Sequence, residues 1–85
     1  MDKETIKYMI NNSTWKNPAK KTVYKFANEN ALSINGENHL HYSIHSRNDK
    51  IELLIDSAKC YNIEYVNDFT LKLYNNNESF IIMPE

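Results

Sequence analysis

Residues 40–73 read LHYSIHSRNDKIELLIDSAKCYNIEYVNDFTLKL, and the pattern within this stretch predicts the architecture of the chain. Apolar side chains stand at every second position, as in Leu40, Tyr42 and Ile44, with polar residues between them. A period of two is typical of β-strands that bury one face. Clusters of Asn, Asp and Ser interrupt the alternation and indicate turns. We therefore predict short antiparallel strands joined by tight turns.

The same alternation extends on both sides of this stretch and predicts seven strands between about residues 22 and 83. Residues 14–17 could supply an eighth, first strand. A sheet of this size with one apolar face must curl or be covered. The predicted fold class is therefore all-β, a small up-and-down antiparallel meander or barrel of seven to eight strands. An open, strongly curved sheet wrapped on a helix is the alternative.

The register of the predicted hairpins follows from parity, because directly opposed residues in an antiparallel pair share a face. One scheme keeps every apolar set on the inner face: it pairs Tyr24 with Ile34, Ile44 with Ile51, Ile55 with Tyr61, Tyr65 with Phe69, and Leu73 with Phe80. The scheme also places Glu52 opposite Glu64, a like-charge pair that costs a little stability.

The first residues follow a different period. Ile6, Met9 and Ile10 are spaced by three and four, which predicts a short N-terminal α-helix over about residues 3–11. Such a short helix is not stable alone and must dock onto the sheet. Trp15, the only Trp, lies between this helix and the strands, and we expect it to be buried at one end of the barrel.

The composition limits the function classes. An 85-residue chain forms one domain, here residues 1–85. Ten basic and eleven acidic residues leave a net charge of −1, so no global field attracts nucleic acid or an anionic membrane. No signal peptide and no membrane span are evident, so a cytoplasmic location is the default expectation. The chain has 13 Asn and one Gly, so Asn and Asp must form most turns.

The order of these parts resembles a known family. A short apolar helix leads into Ser13-Thr14-Trp15, and Tyr24-Lys25-Phe26, Tyr42-Ser43-Ile44 and Ile63-Glu64-Tyr65 follow. This resembles the short lipocalin-like domains of bacteria, within the calycin group of barrels. There a Gly-x-Trp opens the first strand, and Ser13 stands where the Gly is expected. The resemblance implies a barrel, often an apolar ligand, and no catalytic residues.

The inner residues bear on whether the barrel can hold a ligand. They are bulky, so we expect a largely filled lumen with at most a small pocket at the open end. A buried Tyr hydroxyl needs a hydrogen-bonding partner. The candidate ligand-binding residues are therefore the inward tyrosines, namely Tyr24, Tyr42, Tyr61 and Tyr65.

Several apolar residues take the outward parity instead. Val23 belongs to an early strand, and Ile81 and Met83 belong to the last one. Barrel closure would bring these strands together and could merge the three side chains into one patch. Val23, Ile81 and Met83 are therefore the candidate interface residues.

No residues predict catalysis, a metal site or a cofactor. His39, His41 and His45 share the outer face of one strand, where exposed imidazoles are expected. Cys60 has no companion His and is expected to be a half-buried small side chain. Four lysines near Trp15 are expected to be solvated rather than a nucleic-acid site.

Two functions remain open. We predict a non-enzymatic module for protein interaction or self-association, with an unknown protein or a second copy as partner and a dimer as one form. The alternative is the binding of a small apolar ligand in a tyrosine-lined lumen.

Overall fold

The computed structural model describes residues 3–27, 30–56 and 58–85, without the side chains at 38 and 39. A single helix, α1, spans Lys3–Ile10 and ends one residue before the predicted limit. Eight strands follow, which are β1 Ser13–Asn17, β2 Thr22–Phe26, β3 Ala31–Ile34, β4 Glu37–Arg47, β5 Lys50–Ile55, β6 Lys59–Asn67, β7 Thr70–Tyr74 and β8 Ser79–Pro84.

The sheet closes into a barrel. Each strand pairs antiparallel with its neighbours in sequence, and β1 also pairs with β8. Closure rests on the Trp15–Pro84 and Lys16–Met83 pairs, and the Glu85 amide donates to the Thr14 carbonyl at 3.0 Å. The predicted barrel and its eighth strand are confirmed, and the open-sheet alternative is wrong. Within the described residues, no helix has the length and apolar content needed to cross a membrane.

The predicted registers are confirmed at both ends of the meander and wrong in its middle. Tyr24 pairs with Ile34, and Leu73 pairs with Phe80, as predicted. In the β4–β5, β5–β6 and β6–β7 hairpins the pairing differs by two residues, so Leu53 lies opposite both Ile44 and Tyr61. A shift of two keeps every side chain on its face, so the alternation alone cannot detect it.

Turn geometry explains the difference. Asn48 and Asp49 both have positive φ, 52° and 63°, and form a two-residue turn that continues the β4–β5 ladder to its end. In the β5–β6 hairpin, where Asp56 has a φ of 51° and Ile55 pairs with Lys59, the expected Glu52–Glu64 pair does not form. Glu52 lies opposite Asn62, and Glu64 lies opposite Lys72, which replaces repulsion with attraction.

The β6–β7 hairpin also corrects the position of Phe69. The register shifts between Tyr65 and Asn67, and β7 begins only at Thr70. Phe69 therefore lies in the turn, 71% exposed, rather than on the inner face. The extra residue lies on β6, so Asn67 pairs with Thr70 and the turn falls at Asp68 and Phe69, where the alternation of β7 no longer applies.

The helix closes one end of the barrel. Ile6, Ile10 and Trp15 are buried, Trp15 to 2% exposure, so the predicted burial of the Trp is confirmed. The Trp15 Nε1 donates to Ser13 Oγ at 2.9 Å, and Ser13 Oγ donates to the Ile10 carbonyl at 2.6 Å. The hydroxyl of Ser13, at the position where Gly is expected, thus links the helix to the first strand.

Candidate functional site

The end of the barrel opposite α1 is an open mouth. It carries the loops that connect β1 to β2, β3 to β4, β5 to β6 and β7 to β8. A cavity of about 410 Å³ lies there. Ligand pockets in proteins commonly measure about 300–1,000 Å³, so this cavity suits a small molecule. The residues around it are Lys20, Thr22, Tyr24, Ile34, Leu40, Ile55, Asp56, Ala58, Lys59, Tyr61 and Glu78.

Two aromatic rings, those of Tyr24 and Tyr61, line the mouth, and the Phe80 ring packs against both of them. The Tyr24 and Phe80 rings are nearly parallel, with centroids 6.2 Å apart and planes at 7°. Phe80 also meets Tyr61 edge to face, with centroids 5.4 Å apart and planes at 80°. Both geometries are favourable for aromatic pairs. Phe80 therefore holds the two tyrosines at fixed positions.

A carboxylate lies beside these rings. The Tyr61 hydroxyl donates to Glu78 Oε2 at 3.2 Å, and Lys20 Nζ lies 3.8 Å from Glu78 Oε1. Burial, and then the negative charge of Glu78, raise the pKa of Tyr61 to about 12. The same two causes, burial first, raise the pKa of Tyr24. Both phenols therefore remain protonated at neutral pH, where each can donate a hydrogen bond.

The Tyr24 hydroxyl differs from that of Tyr61. Tyr24 is 9% exposed, and its hydroxyl has no hydrogen-bond partner among the described residues. Among the described residues, no fully buried side-chain N or O atom lacks a hydrogen-bond partner. The Tyr24 hydroxyl, which has no partner, is therefore accessible to solvent at the mouth. A hydroxyl in this position is available to a ligand or to water.

Asparagine side chains fix the loops that carry the charged residues. Asn17 Oδ1 accepts the backbone N–H groups of Ala19 at 3.1 Å and Lys20 at 3.3 Å. Asn75 Oδ1 accepts those of Asn77 at 2.8 Å and Glu78 at 3.0 Å. The predicted use of Asn in turns is confirmed at these two loops. These hydrogen bonds therefore restrain the backbone at Lys20 and at Glu78 when no ligand is bound.

The other two loops of the mouth, β3–β4 and β5–β6, are also restrained by a side-chain acceptor. Asn35, at φ 52°, accepts the Val23 amide on Oδ1 at 2.8 Å. Asp56, at φ 51°, accepts the His41 amide on Oδ1 at 2.8 Å. Asn and Asp tolerate this left-handed conformation better than most residues. All four loops around the mouth therefore have a side-chain acceptor that restrains their backbone.

The structure brings together two of the four tyrosines proposed as ligand-binding residues. Tyr24 and Tyr61 lie at the mouth, whereas Tyr42 packs edge to face on Phe26, with centroids 5.1 Å apart, and lines a separate cleft beside α1. The Tyr65 hydroxyl donates to Asp68 in the β6–β7 hairpin, and this hydrogen bond raises the pKa of Tyr65. Parity predicts that a residue faces inward but not at which end of the barrel it lies.

Sequence reasoning missed Lys20 and Glu78. Both lie in loops, where no hydrophobic period exists to interpret. The run Asn75-Asn76-Asn77 does predict a tight turn, so Glu78 could have been placed at the entry of the last strand. No sequence signal places it beside Lys20.

The three proposed interface residues are divided by a lysine. Lys16 pairs with Val23 on one side and with Met83 on the other. Ile81 and Met83, 45% and 41% exposed, line a surface groove of about 520 Å³ with Pro18 and Ala19. Val23 is half-buried and lines a different hollow. Lys16 therefore lies between Val23 and Met83, and the interface role of the three residues stays a prediction.

The histidines and the cysteine lie on the outer surface. His41 and His45 are exposed, and His41 Nδ1 lies 3.8 Å from Asp56 Oδ1. The side chain of His39 lies outside the described residues. Among the side chains that are described, no three His, Cys, Asp or Glu lie close enough to hold one metal ion. Cys60 is exposed rather than half-buried, because it stands on the outer face of β6 opposite Leu54.

Comparisons of this chain with protein-family models, with curated proteins and with solved structures found no match. The mouth itself combines an aliphatic patch, formed by Ile34, Leu40 and Ile55, with two phenols and one carboxylate. Such a surface can hold an apolar group and form hydrogen bonds with its polar end.

Proposed function

We propose that the protein is a non-enzymatic binding module that holds a small, mainly apolar ligand in the mouth of the barrel. The observation that carries this proposal is the Tyr24 hydroxyl, which has no hydrogen-bond partner among the described residues and lines the same cavity as the aliphatic patch. A pocket with an apolar floor and a few fixed polar groups is the usual form of a small-molecule site.

The packing below the mouth limits the size of the ligand. Phe26, Leu53 and Leu73 fill the barrel, each at 1% exposure. Protein interiors pack at about 0.74–0.76 of the available volume, so a long acyl chain cannot enter without displacing these residues. The ligand is therefore a compact molecule that rests on Ile34, Leu40 and Ile55. The resemblance to lipocalin-like domains, which often bind apolar ligands, agrees with this proposal.

A blocking substitution tests the proposal. Thr22 lies in β2 at the rim of the cavity, and aromatic residues are well accepted in strands. Titration of the full chain with an apolar fluorescent dye and with hexanol is expected to give saturable binding. Thr22→Trp should abolish this binding, whereas Thr70→Trp, on the outer face of β7, should leave it unchanged. Binding that is unaffected by Thr22→Trp, or the absence of saturable binding, would show that the mouth is not the site.

Self-association is a second candidate, favoured by the exposure of two large apolar side chains next to each other on β8. Ile81 and Met83 lie beside Pro18 and Ala19, which continue the apolar surface. Sedimentation velocity over a range of protein concentrations tests this candidate. Ile81→Glu should reduce the dimer fraction, and the control Val66→Glu, at another exposed apolar site, should not. A chain that remains monomeric at every concentration would exclude it.

A further inference from the structure

We propose that the ligand of the mouth carries a protonated amine, which Glu78 and Tyr24 hold at the rim while its apolar part packs on the aliphatic patch. This inference rests on the proposed function and adds the chemical class of the ligand. It follows from the hydrogen-bonding capacity that the described residues leave unused at the mouth.

The Glu78 carboxylate is only partly engaged. An ionised carboxylate has two oxygens and about four acceptor positions. One oxygen accepts the Tyr61 hydroxyl at 3.2 Å, and the other faces Lys20 Nζ at 3.8 Å, which is too long for a hydrogen bond. The Lys20 side chain is 64% exposed, so solvent screens this ion pair and a competing cation can replace it.

An ammonium group fits the unused positions. It has three N–H donors and no acceptor. One donor can reach the free Glu78 oxygen, and a second can reach the Tyr24 hydroxyl, which accepts as well as donates. The third remains open to water at the rim. Charge-assisted hydrogen bonds of this kind are stronger than neutral ones.

The distribution of charge around the cavity favours a cation over an anion. The charged residues that face it are Lys20, Asp56, Lys59 and Glu78. Glu78 is half-buried, whereas the other three are exposed, so its field is the least screened by water. Burial is the largest cause of the raised pKa of both phenols, and the charge of Glu78 is the second cause, which agrees with a negative potential at this side of the mouth. An anionic head would meet this potential, and only the solvated Lys20 and Lys59 could attract it.

The test compares three six-carbon ligands that differ only in their head group. Hexylamine (protonated at pH 7), hexanol and hexanoate are titrated against the full chain by calorimetry or by NMR chemical shifts. We expect hexylammonium to bind about tenfold more tightly than hexanol, because it gains a charge-assisted hydrogen bond. Glu78→Gln keeps an acceptor for Tyr61 and removes the charge. It should abolish the preference, whereas Glu64→Gln, at the exposed side of β6, should preserve it.

A second variant keeps the inference testable if Glu78→Gln does not fold. Lys20→Met removes the competing cation and should raise the preference for hexylammonium over hexanol several-fold. Equal affinities for the three ligands, a preference for hexanoate, or no effect of Lys20→Met would each refute the proposed amine head group. None of these results would contradict the proposed binding module. Failure of all three ligands to bind would overturn both proposals.

Discussion

Replacement of Trp15 by Ala is the strongest test of how the helix and the barrel depend on each other. Trp15 is 2% exposed and lies in β1, directly after the Ser13 link to α1. Loss of a buried Trp side chain to Ala costs about 3–5 kcal/mol. A domain of 85 residues is stable by only about 4–13 kcal/mol. We therefore expect Trp15→Ala to remove a large part of the free energy of unfolding.

The hydrogen bond of the indole can be separated from its packing. Ser13→Ala leaves the buried Trp15 N–H without its acceptor and removes the donor to the Ile10 carbonyl, at a cost of about 1–3 kcal/mol. In a Trp15→Phe background no indole N–H remains to be left unsatisfied. Ser13→Ala should then cost less, and the difference is a coupling energy of about 1 kcal/mol.

Urea denaturation followed by far-UV circular dichroism measures all four proteins of this cycle, since two of them lack the Trp. Tyr8→Ala, at an exposed position of α1, is the matched control and should change stability by less than about 0.5 kcal/mol. In the native protein, Trp15 fluorescence should shift to longer wavelength on unfolding. A cost below about 1 kcal/mol for Trp15→Ala, against the 3–5 kcal/mol typical of a buried Trp, would refute this account of the closed end.

Two further predictions follow from the mouth and from the corrected hairpin. Because the pKa of Tyr61 is about 12 in the folded protein and near 10.0 in the unfolded chain, the contribution of Tyr61 to stability should be fully present below about pH 9 and be lost between pH 10 and 12. Glu78→Gln should lower that pKa in a spectrophotometric titration, and an unchanged value would contradict the assigned hydrogen bond. Phe69→Ala should change stability by less than about 0.5 kcal/mol, whereas Leu71→Ala should cost about 2–5 kcal/mol in urea unfolding. Equal losses of stability for Phe69→Ala and Leu71→Ala would show that Phe69 is buried in the core.

The face of almost every strand residue was predictable from the chain alone. Alternation with a period of two assigns Tyr24, Leu53 and Ile82 to the interior, where they are buried. The spacing of Ile6, Met9 and Ile10 likewise predicts the helix, and the abundance of Asn predicts the turns. These features are local, because each depends on backbone geometry within a few residues.

The position of a residue along the barrel was not predictable in the same way. A register shift of two residues leaves the alternation unchanged, so three hairpins could be placed only by their turn geometry. The turn that exposes Phe69 is a second example, since alternation assigns faces only within a strand and β7 begins at Thr70.

The candidate site depends on both effects at once. Tyr24 and Tyr61 share the mouth, while Tyr42 and Tyr65, of the same inward parity, lie elsewhere. Lys20 and Glu78 meet because closure of β1 on β8 brings the first and last hairpin loops to one rim. The height of each side chain results from the registers of all eight strands together. No local sequence pattern encodes these combined registers, so only the closed barrel determines which polar groups face one ligand.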